Sequence, residues 1–593
     1  MDNIPIYKLI SRLWHHFKPR RRKQFILLLV LMLLTSFTEV ISIGAVLPFL
    51  AVLIDPERIF ELPVAQSFIK ALNLTEARQL ILPLSIAFSM AALVAGSMRL
   101  LLLWVSIKLA YATGSDLSLS VYRRTLYQPY SVHCSRNSSE IIAGISKANG
   151  VISNTVLPTI MLISTSIMLI SILIALLVIN PLYAFLAFGG FGTIYAFILK
   201  LTRKQLLIDS KIMSSEAVQV VKSIQEGLGG IRDVLIDGSQ ATYCKIYYGA
   251  DMRYRQANGR SIFIGGSPRF GMEALGLCLI SALAYSLTQQ ADGIVKAVPV
   301  LGALALAAQR LLPVLQQAYN SWTVISSGSV SLQETLKLLE QPLPSYVGQL
   351  AAQALQFNSD ISLKQLGFRY STDTPYVLKQ LNLTINKGSR IGFIGATGSG
   401  KSTLLDIVMG LLEPTDGVLE VDGQAVTVDN QHLWYAHIAH VPQTIFLIDS
   451  SIEENIAFGI PKDKIDHERV RQAAKQAQIA GSIESWPKQY QTFVSERGIR
   501  LSGGQRQRIG IARALYKRAN IIIFDEATSA LDNDTEQAVM QAIETLSKDL
   551  TILIIAHRLT TLKNCTKIVQ LEAGCIKRTG SYKSIVDQSA VIE

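Results

Sequence analysis

The sequence predicts an α-helical six-span transmembrane domain followed by an α/β P-loop domain, and three observations carry that expectation. Runs of Leu, Ile, Val and Ala with few charges fill the chain from Phe25 to about Val324. Gly395-Ala396-Thr397-Gly398-Ser399-Gly400-Lys401-Ser402 is a complete phosphate-binding loop. Beyond about Gln341, short β-rich runs alternate with helical ones, the pattern of a mixed α/β nucleotide-binding fold. A chain of 593 residues is long enough for more than one domain, and four segments are expected: a basic N-terminal stretch (1–24), a six-helix body with long cytoplasmic loops (25–325), a linker (326–354) and a nucleotide-binding domain (355–593).

Each span is read from length. A helix rising about 1.5 Å per residue needs roughly 20 apolar residues to cross a ~30 Å hydrocarbon core. Phe25–Leu53, Leu80–Leu103, Val156–Ile179, Leu182–Leu199, Phe270–Leu287 and Val298–Leu315 qualify. An even count returns the chain to its starting side. The first run begins too late and runs too long for a cleavable signal core.

Charge orients the spans. The formal net charge of +12 would suit nucleic acid, but the basic residues flank the apolar runs instead of gathering on a soluble face. Lys18, Arg20, Arg21, Arg22 and Lys23 precede the first span; Arg123, Arg124, Arg136 and Lys147 occupy one loop, and Arg203, Lys204, Arg232, Arg253 and Arg260 another. The positive-inside rule puts these on the cytoplasmic side, and the expectation is a multi-pass protein of the cell (inner) membrane with its ATPase domain in the cytoplasm and no nucleic-acid partner. Both loops are too long to be mere connectors, so the spans are expected to continue past the bilayer. His133–Ile142 and Asp237–Lys245 are candidates for the short elements that touch the ATPase. The five cysteines show no metal or redox spacing and read as free thiols of a reducing compartment.

Ions within the spans must face protein or water. Glu39, Arg99, Arg269, Glu273 and Arg310 fall in that class. Arg269 and Glu273, spaced i, i+4, either neutralise one another or serve a site. Arg99 and Arg310 have no local carboxylate, and Arg310 heads a polar face with Gln316, Gln317 and Tyr319. Guanidinium matches phosphate with two parallel hydrogen bonds, so Arg99, Arg269 and Arg310 are candidate contacts for an anionic cargo; snorkelling to headgroups is the alternative for any one of them.

The phosphate-binding loop sits between an expected strand, Ile391–Ile394, and an expected helix, Ser402–Met409. Its glycines let backbone N–H groups approach phosphate oxygens at a helix N-terminus. Gly395, Ala396, Thr397, Gly398, Ser399, Gly400, Lys401, Ser402 and Thr403 are therefore the expected ATP contacts, with Lys401 on the terminal phosphates and the Ser402 hydroxyl on Mg²⁺. A second strand, Ile521–Phe524, delivers Asp525 and Glu526. Asp525 suits the Mg²⁺ shell, through water, and Glu526 the attacking water.

These motifs, with Leu501-Ser502-Gly503-Gly504-Gln505, resemble those of an ABC transporter whose membrane and ATPase domains are fused, an exporter-type half-transporter. Val441-Pro442-Gln443 resembles the family's Q-loop, Ser529–Asp532 its D-loop, Ile555-Ala556-His557-Arg558 its switch histidine, Tyr370 its adenine-stacking aromatic, and Ser495-Glu496-Arg497-Gly498 its contact with the intracellular loops. Thr566 stands where relatives usually carry Asp. The resemblance implies an α/β P-loop ATPase domain of ABC type that takes ATP and Mg²⁺. Glu526, His557, Gln443 and Lys401 would be catalytic, and Gln443 would also reach Mg²⁺. Ser502, Gly503, Gly504 and Gln505 would act in trans on ATP held by a second copy, hence a homodimer. A heterodimer with a related chain stays open.

The membrane half resembles bacterial lipid-linked oligosaccharide flippases through Phe37-Thr38-Glu39, Leu47-Pro48-Phe49 and Ala308–Pro313. That implies a pyrophosphate-linked glycolipid moved from the inner to the outer leaflet. Exporters of drugs or ordinary lipids, and an ATP-gated channel or receptor, are the alternatives. A processing-type peptide exporter is not expected, because no peptidase domain stands ahead of the first span. The apolar spans exclude a soluble ATPase of translation or repair.

Overall fold

The computed structural model describes residues 4–54, 56–61, 66, 69–70, 74–179, 181–288, 311–348, 354–495, 498–526, 533–544, 549–556 and 562–589. The chain divides into two compact units, Met1–Gln128 with Arg136–Leu343, and Pro129–Ser135 with Pro344–Glu593.

The first unit is helical. The helix Pro19–Ile54 contains the first expected span, Ile81–Leu126 the second, Leu157–Ile179 the third, Pro181–Gly229 the fourth and Pro268–Thr288 the fifth. The sixth lies outside the described residues up to 310, and the chain is helical over 311–327. Among the described residues, Pro19–Val46, Ala77–Leu126 and Ser138–Ala175 are long and apolar enough to cross a membrane. The 46-residue helix Ile81–Leu126 and the 49-residue helix Pro181–Gly229 extend for roughly 70 Å each at 1.5 Å per residue, far more than a bilayer needs. The extension of Pro181–Gly229 is tied to the helices Gln240–Gly266 and Ser138–Val151 by the charges that orient the spans. Arg253 donates to Glu216 at 2.8 Å, Arg260 to the buried Asp209 at 2.7 Å, and Lys147 to the Ser214 carbonyl at 2.9 Å.

Two backbone features shape the spans. Pro48 lies inside the first long helix, where it withholds an N–H from the Gly44 carbonyl. A π turn at Ile152–Val156, just ahead of Pro158, joins the helix Ser138–Val151 to the third span. Gly114 lets this turn approach the second long helix, since a Cβ there would sit 1.9 Å from Ile152 Cδ1. The same seam is a core, in which Leu9, Leu13 and Phe17 of the N-terminal segment meet Leu28, Met32, Leu117, Val121 and Leu336.

The second unit holds two sheets. In the first, β1 (Asp360–Phe368) lies between β2 (Leu378–Asn386) and β4 (Asp416–Val421), and β5 (Gln424–Ala425) flanks β4; all pairs are antiparallel. The second has the order β10-β9-β3-β8-β7-β6. Here β3 is Arg390–Ile394, β6 Ile438–Val441, β7 Ile521–Asp525, β8 Thr551–Ile555, β9 Lys567–Glu572 and β10 Cys575–Gly580. All its pairs are parallel except β9 with β10. Continuous apolar runs such as Ile521–Phe524 are what a parallel sheet covered on both faces requires. Side chains from both sheets enclose Leu404, Ile407 and Val408 of the helix after β3, and Trp434 closes this core by donating to the Val408 carbonyl at 2.9 Å.

The two candidate contact elements are divided between the units. Only His133–Ser135 of the first candidate groups with the second unit, as part of the short helix Tyr130–Ser135. Asn137 caps the next helix by accepting from the Ser139 N–H at 3.2 Å, which breaks the chain at that point. Asp237–Lys245 groups with the first unit.

Candidate functional site

The phosphate-binding loop runs from the end of β3 into the helix Lys401–Val408. Gly395, Gly398 and Gly400 take φ values of 150°, 81° and 98°. A Cβ at Gly395 would lie 2.3 Å from the Leu571 carbonyl oxygen, so this position admits only glycine. Lys401 is buried, and its Nζ donates to the carbonyls of Gly395 at 2.8 Å and Ala396 at 3.0 Å. Ser402 is exposed in the first helical turn. Thr403 Oγ1 lies 3.1 Å from the Tyr370 hydroxyl, while the Tyr370 ring stays 57% exposed and edge-on to Phe368. An exposed ring tethered to the loop offers a face on which a base can stack.

Because β3, β8, β7 and β6 are parallel, their C-terminal ends share one edge of the sheet. That edge collects the polar groups. Burial raises the Asp525 carboxyl above its ordinary range, the neighbouring Glu526 raises it further, and Lys401 opposes both. Glu526 has a left-handed backbone, φ 50°, which turns its side chain away from the strand direction; its N–H donates to the Ile555 carbonyl at 3.1 Å. Gln443, just beyond β6, donates from Nε2 to Glu526 Oε2 at 2.8 Å. Lys401, Asp525, Glu526 and Gln443 thus form one cluster. The oxygens of Ser402, Gln443 and Asp525 are the hard donors Mg²⁺ prefers, and a dication would offset the crowding of the two carboxylates. His557, Ser529–Asp532, Glu496 and Arg497 lie outside the described residues.

Sequence reasoning missed Asp406. It stands one helical turn beyond Ser402, on the same face. Its carboxyl is half-buried, and burial together with the Asp525 charge pushes it up to about 6. Tyr130 of the short helix is also close: a hydrogen bond with Cys134, burial and the nearby charges of Asp406 and Tyr370 push its phenol up to about 12.

The signature residues stand at the start of the helix Gly503–Lys517. Ser502 Oγ accepts from the Gln505 N–H at 3.2 Å, and Gln505 Oε1 accepts from the Ser502 N–H at 2.9 Å. This capping box leaves the N–H groups of Gly503 and Gly504 facing outward from a helix N-terminus, which attracts anions. The helix is anchored at its far side by Arg513, whose guanidinium burial pushes down to about 10. It donates to the carbonyls of Asn455 at 2.9 Å and Phe446 at 3.0 Å.

In the first unit a distant residue supplies what the local sequence around Arg99 lacks. Arg99 does have a carboxylate partner: its Nε donates to Glu39 Oε2 at 2.8 Å, and its Nη2 meets the other carboxylate oxygen. The partner was hidden because it lies on a different helix, 60 residues away in the chain. Glu39 itself is 1% exposed. Arg269 pairs with Glu273 at 2.6 Å, as the i, i+4 spacing implies. Both line a cavity of about 480 Å³ with Tyr195, Gln316, Gln317 and Asn320. The two glutamines belong to the polar face read from sequence; Tyr195 and Asn320 carried no signal of their own. Tyr195 stacks at an angle on buried Tyr319, 5.4 Å between ring centres. Arg310 lies outside the described residues.

Comparison with known proteins places both halves. The ABC transporter family matches residues 378–529, and the ABC transporter transmembrane region matches residues 25–310. An ATP-dependent lipid A-core flippase of Saccharophagus degradans is 30% identical over 490 residues, 80% of each chain. The flippase of the same description from Cupriavidus metallidurans is 30% identical over 369 residues, 62% of each chain. The alpha-hemolysin translocation ATP-binding protein of Escherichia coli is 38% identical over 283 residues, which span 48% of this chain and only 39% of that protein. In fold, the chain is similar to the structure of a bacterial Atm1-family ABC exporter with ATP bound, with a TM-score of 0.78 over 96% of both chains and 23% identity.

Proposed function

The chain belongs to the ABC transporters, with transmembrane and ATP-binding regions fused in one polypeptide, and from that premise we propose that it uses ATP to move a pyrophosphate-linked glycolipid from the inner to the outer leaflet of the inner membrane. Residues 25–325 are the translocating body and 355–593 the motor. The working form is a homodimer, because the signature helix of one copy supplies the N–H groups of Gly503 and Gly504 to ATP on the other.

The residues divide the chemistry as follows. Tyr370 stacks on adenine, and the loop 395–403 with Lys401 holds the phosphates. Asp525, Ser402 and Gln443 would hold Mg²⁺, which would supply charge stabilisation to the transferring phosphoryl group. Glu526 orients the attacking water and takes its proton, and the Gln443 hydrogen bond fixes the carboxylate for that task. His557, two residues beyond β8 in the sequence, completes the set. ATP closes two copies around two sites, and hydrolysis releases them; the affinity difference between closed and open forms drives the membrane body from one state to the other.

The observation that carries the cargo assignment is the cavity of Arg269, Gln316, Gln317, Asn320 and Tyr195. It joins the ion pair of Arg269 and Glu273 to the uncharged hydrogen-bonding groups of Gln316, Gln317, Asn320 and Tyr195 at the end of a membrane helix, so that an anionic headgroup takes the guanidinium in exchange for Glu273 while the amides and the phenol meet sugar hydroxyls. Arg99, in its pair with Glu39, and Arg310 are the further candidate contacts named from the sequence. The lipid A-core flippases favour a second reading, a glycolipid carrying its phosphates on the sugar. Proteoliposomes loaded with a fluorescent polyprenyl-pyrophosphate glycan or with lipid A distinguish the two. Transport of the first that falls in Arg269→Ala and Arg310→Ala while basal ATPase persists supports the proposal. Transport of lipid A alone, or ATP-gated ion conductance without transport, overturns it.

A further inference from the structure

A second groove of about 440 Å³ lies in the first unit between the helices Pro19–Ile54 and Ile81–Leu126, far along the chain from the cavity that holds Arg269. Its floor and rim are apolar, from Leu27, Leu31 and Leu34 on one helix and Val105 on the other, and Leu27 and Leu34 are largely exposed. Its other end is cationic, lined by Arg21 and Lys108 with Gln24 and Trp104.

The charge at that end is out of balance. Lys18 and Arg21 share one carboxylate, Asp116, at 2.7 and 2.8 Å. Lys108 forms no ion pair among the described residues; its Nζ sits 4.7 Å above the Trp104 ring, which is itself 59% exposed. Lys and Trp at i, i+4 occupy one helix face, and the indole holds the ammonium at the mouth of the groove without neutralising it. Arg20 and Lys23 add two more exposed cations.

The axial positions match a lipid. Arg21 stands at the start of the first apolar run and Leu34 thirteen residues on, about 20 Å deeper at 1.5 Å per residue, which covers one leaflet of a ~30 Å core. Cations and an aromatic therefore stand at headgroup level, with an apolar slot running inward along the acyl region. A second copy of this face is disfavoured as the occupant, because its own cations would be repelled.

We propose that this groove is a binding site for an anionic glycerophospholipid of the cytoplasmic leaflet, its phosphodiester held by Lys108 and Arg21 and one acyl chain lying along Leu27, Leu31 and Leu34. The site is separate from the transport cavity and takes a lipid that stays in place. It makes the anionic composition of the inner leaflet a requirement for a well-held first and second span.

The test is lipid retention, which needs no transport and so stands whether or not the cargo assignment holds. Full-length protein in non-ionic detergent is titrated with phosphatidylglycerol or phosphatidylcholine of matched chains and read by native mass spectrometry, with inorganic phosphate as a competitor. Wild type is expected to retain phosphatidylglycerol preferentially. Lys108→Gln should weaken that retention about fivefold, the contribution of one cation at a membrane surface, and leave phosphatidylcholine unchanged. Lys108→Arg should keep it, and basal ATPase should stay at the wild-type level in both variants, which reports an intact fold. Equal retention of the two lipids by wild type, undiminished phosphatidylglycerol binding by Lys108→Gln, loss of selectivity in Lys108→Arg, or full displacement by inorganic phosphate overturns the proposal.

Discussion

Asp406 gives a prediction whose size follows from the structure. Its carboxyl rises from 3.8 to about 6 through burial and the Asp525 charge, so the folded chain binds this proton more tightly than the unfolded chain does. A shift of this size corresponds to about 3 kcal/mol as an upper limit, at 1.36 kcal/mol per pKa unit. Solvent reaches part of the side chain and screens the repulsion, which reduces the expected effect to ~1–2 kcal/mol. The sign is fixed by linkage. Protonated Asp406 costs the fold nothing below pH 3.8, and the penalty grows as pH rises through about 6. Asp406→Asn removes the charge and keeps the shape, so it should stabilise the nucleotide-binding unit fully at pH 8, half-way near pH 5 and not at all near pH 4 (all approximate). Amide hydrogen exchange across the helix Lys401–Val408, in full-length protein with EDTA and no nucleotide, reads that local stability directly. A gain equal at both pH extremes would assign the effect to helix propensity. A loss at pH 8 would mean that the carboxylate makes a stabilising contact, and the electrostatic reasoning fails.

Further outcomes follow from the same geometry. Glu526→Gln should slow ATP hydrolysis by roughly 10²- to 10⁴-fold with ATP binding retained, measured by phosphate release and nucleotide titration; near-wild-type turnover would remove Glu526 from the chemistry. Arg99→Ala takes the guanidinium away from the buried Glu39 carboxylate and should cost about 3–5 kcal/mol, whereas the double change Glu39→Gln with Arg99→Gln should recover most of it in thermal melts. Arg513→Ala breaks hydrogen bonds to the carbonyls of buried Asn455 and exposed Phe446 and should lower stability by ~1–3 kcal/mol in denaturant titration. Gly395→Ala should abolish nucleotide binding by forcing the loop away from Leu571; ordinary ATP affinity in a folded variant would contradict the close approach seen there.

What was legible in the sequence was what the chain writes consecutively. The phosphate-binding loop and the strands that deliver it are contiguous, and their edges fall within a residue of expectation: Ile391–Ile394 inside β3, Ile521–Phe524 inside β7. Five spans could be placed for the same reason, since a hydrocarbon core selects uninterrupted apolar length. What stayed hidden is assembled across helices. The Glu39–Arg99 pair joins two spans, and Tyr195 and Asn320 meet Arg269 only when the fourth, fifth and sixth segments pack. Asp406 was visible as a letter but had no meaning until β7 set Asp525 beside it. Glu526 shows a third case, where a motif names the residue but only its left-handed backbone explains its aim.

The widened turn at Ile152–Val156 bears on how the third span is phased. One surplus residue in a helix of 3.6 residues per turn rotates everything beyond it by about 100° about the axis. The side of the rod that meets Gly114 is thereby uncoupled from the side that meets lipid. Deleting a single residue there would keep every hydrophobic letter and turn the wrong flank toward the neighbouring spans, so this short segment works as an angular vernier between stalk and membrane.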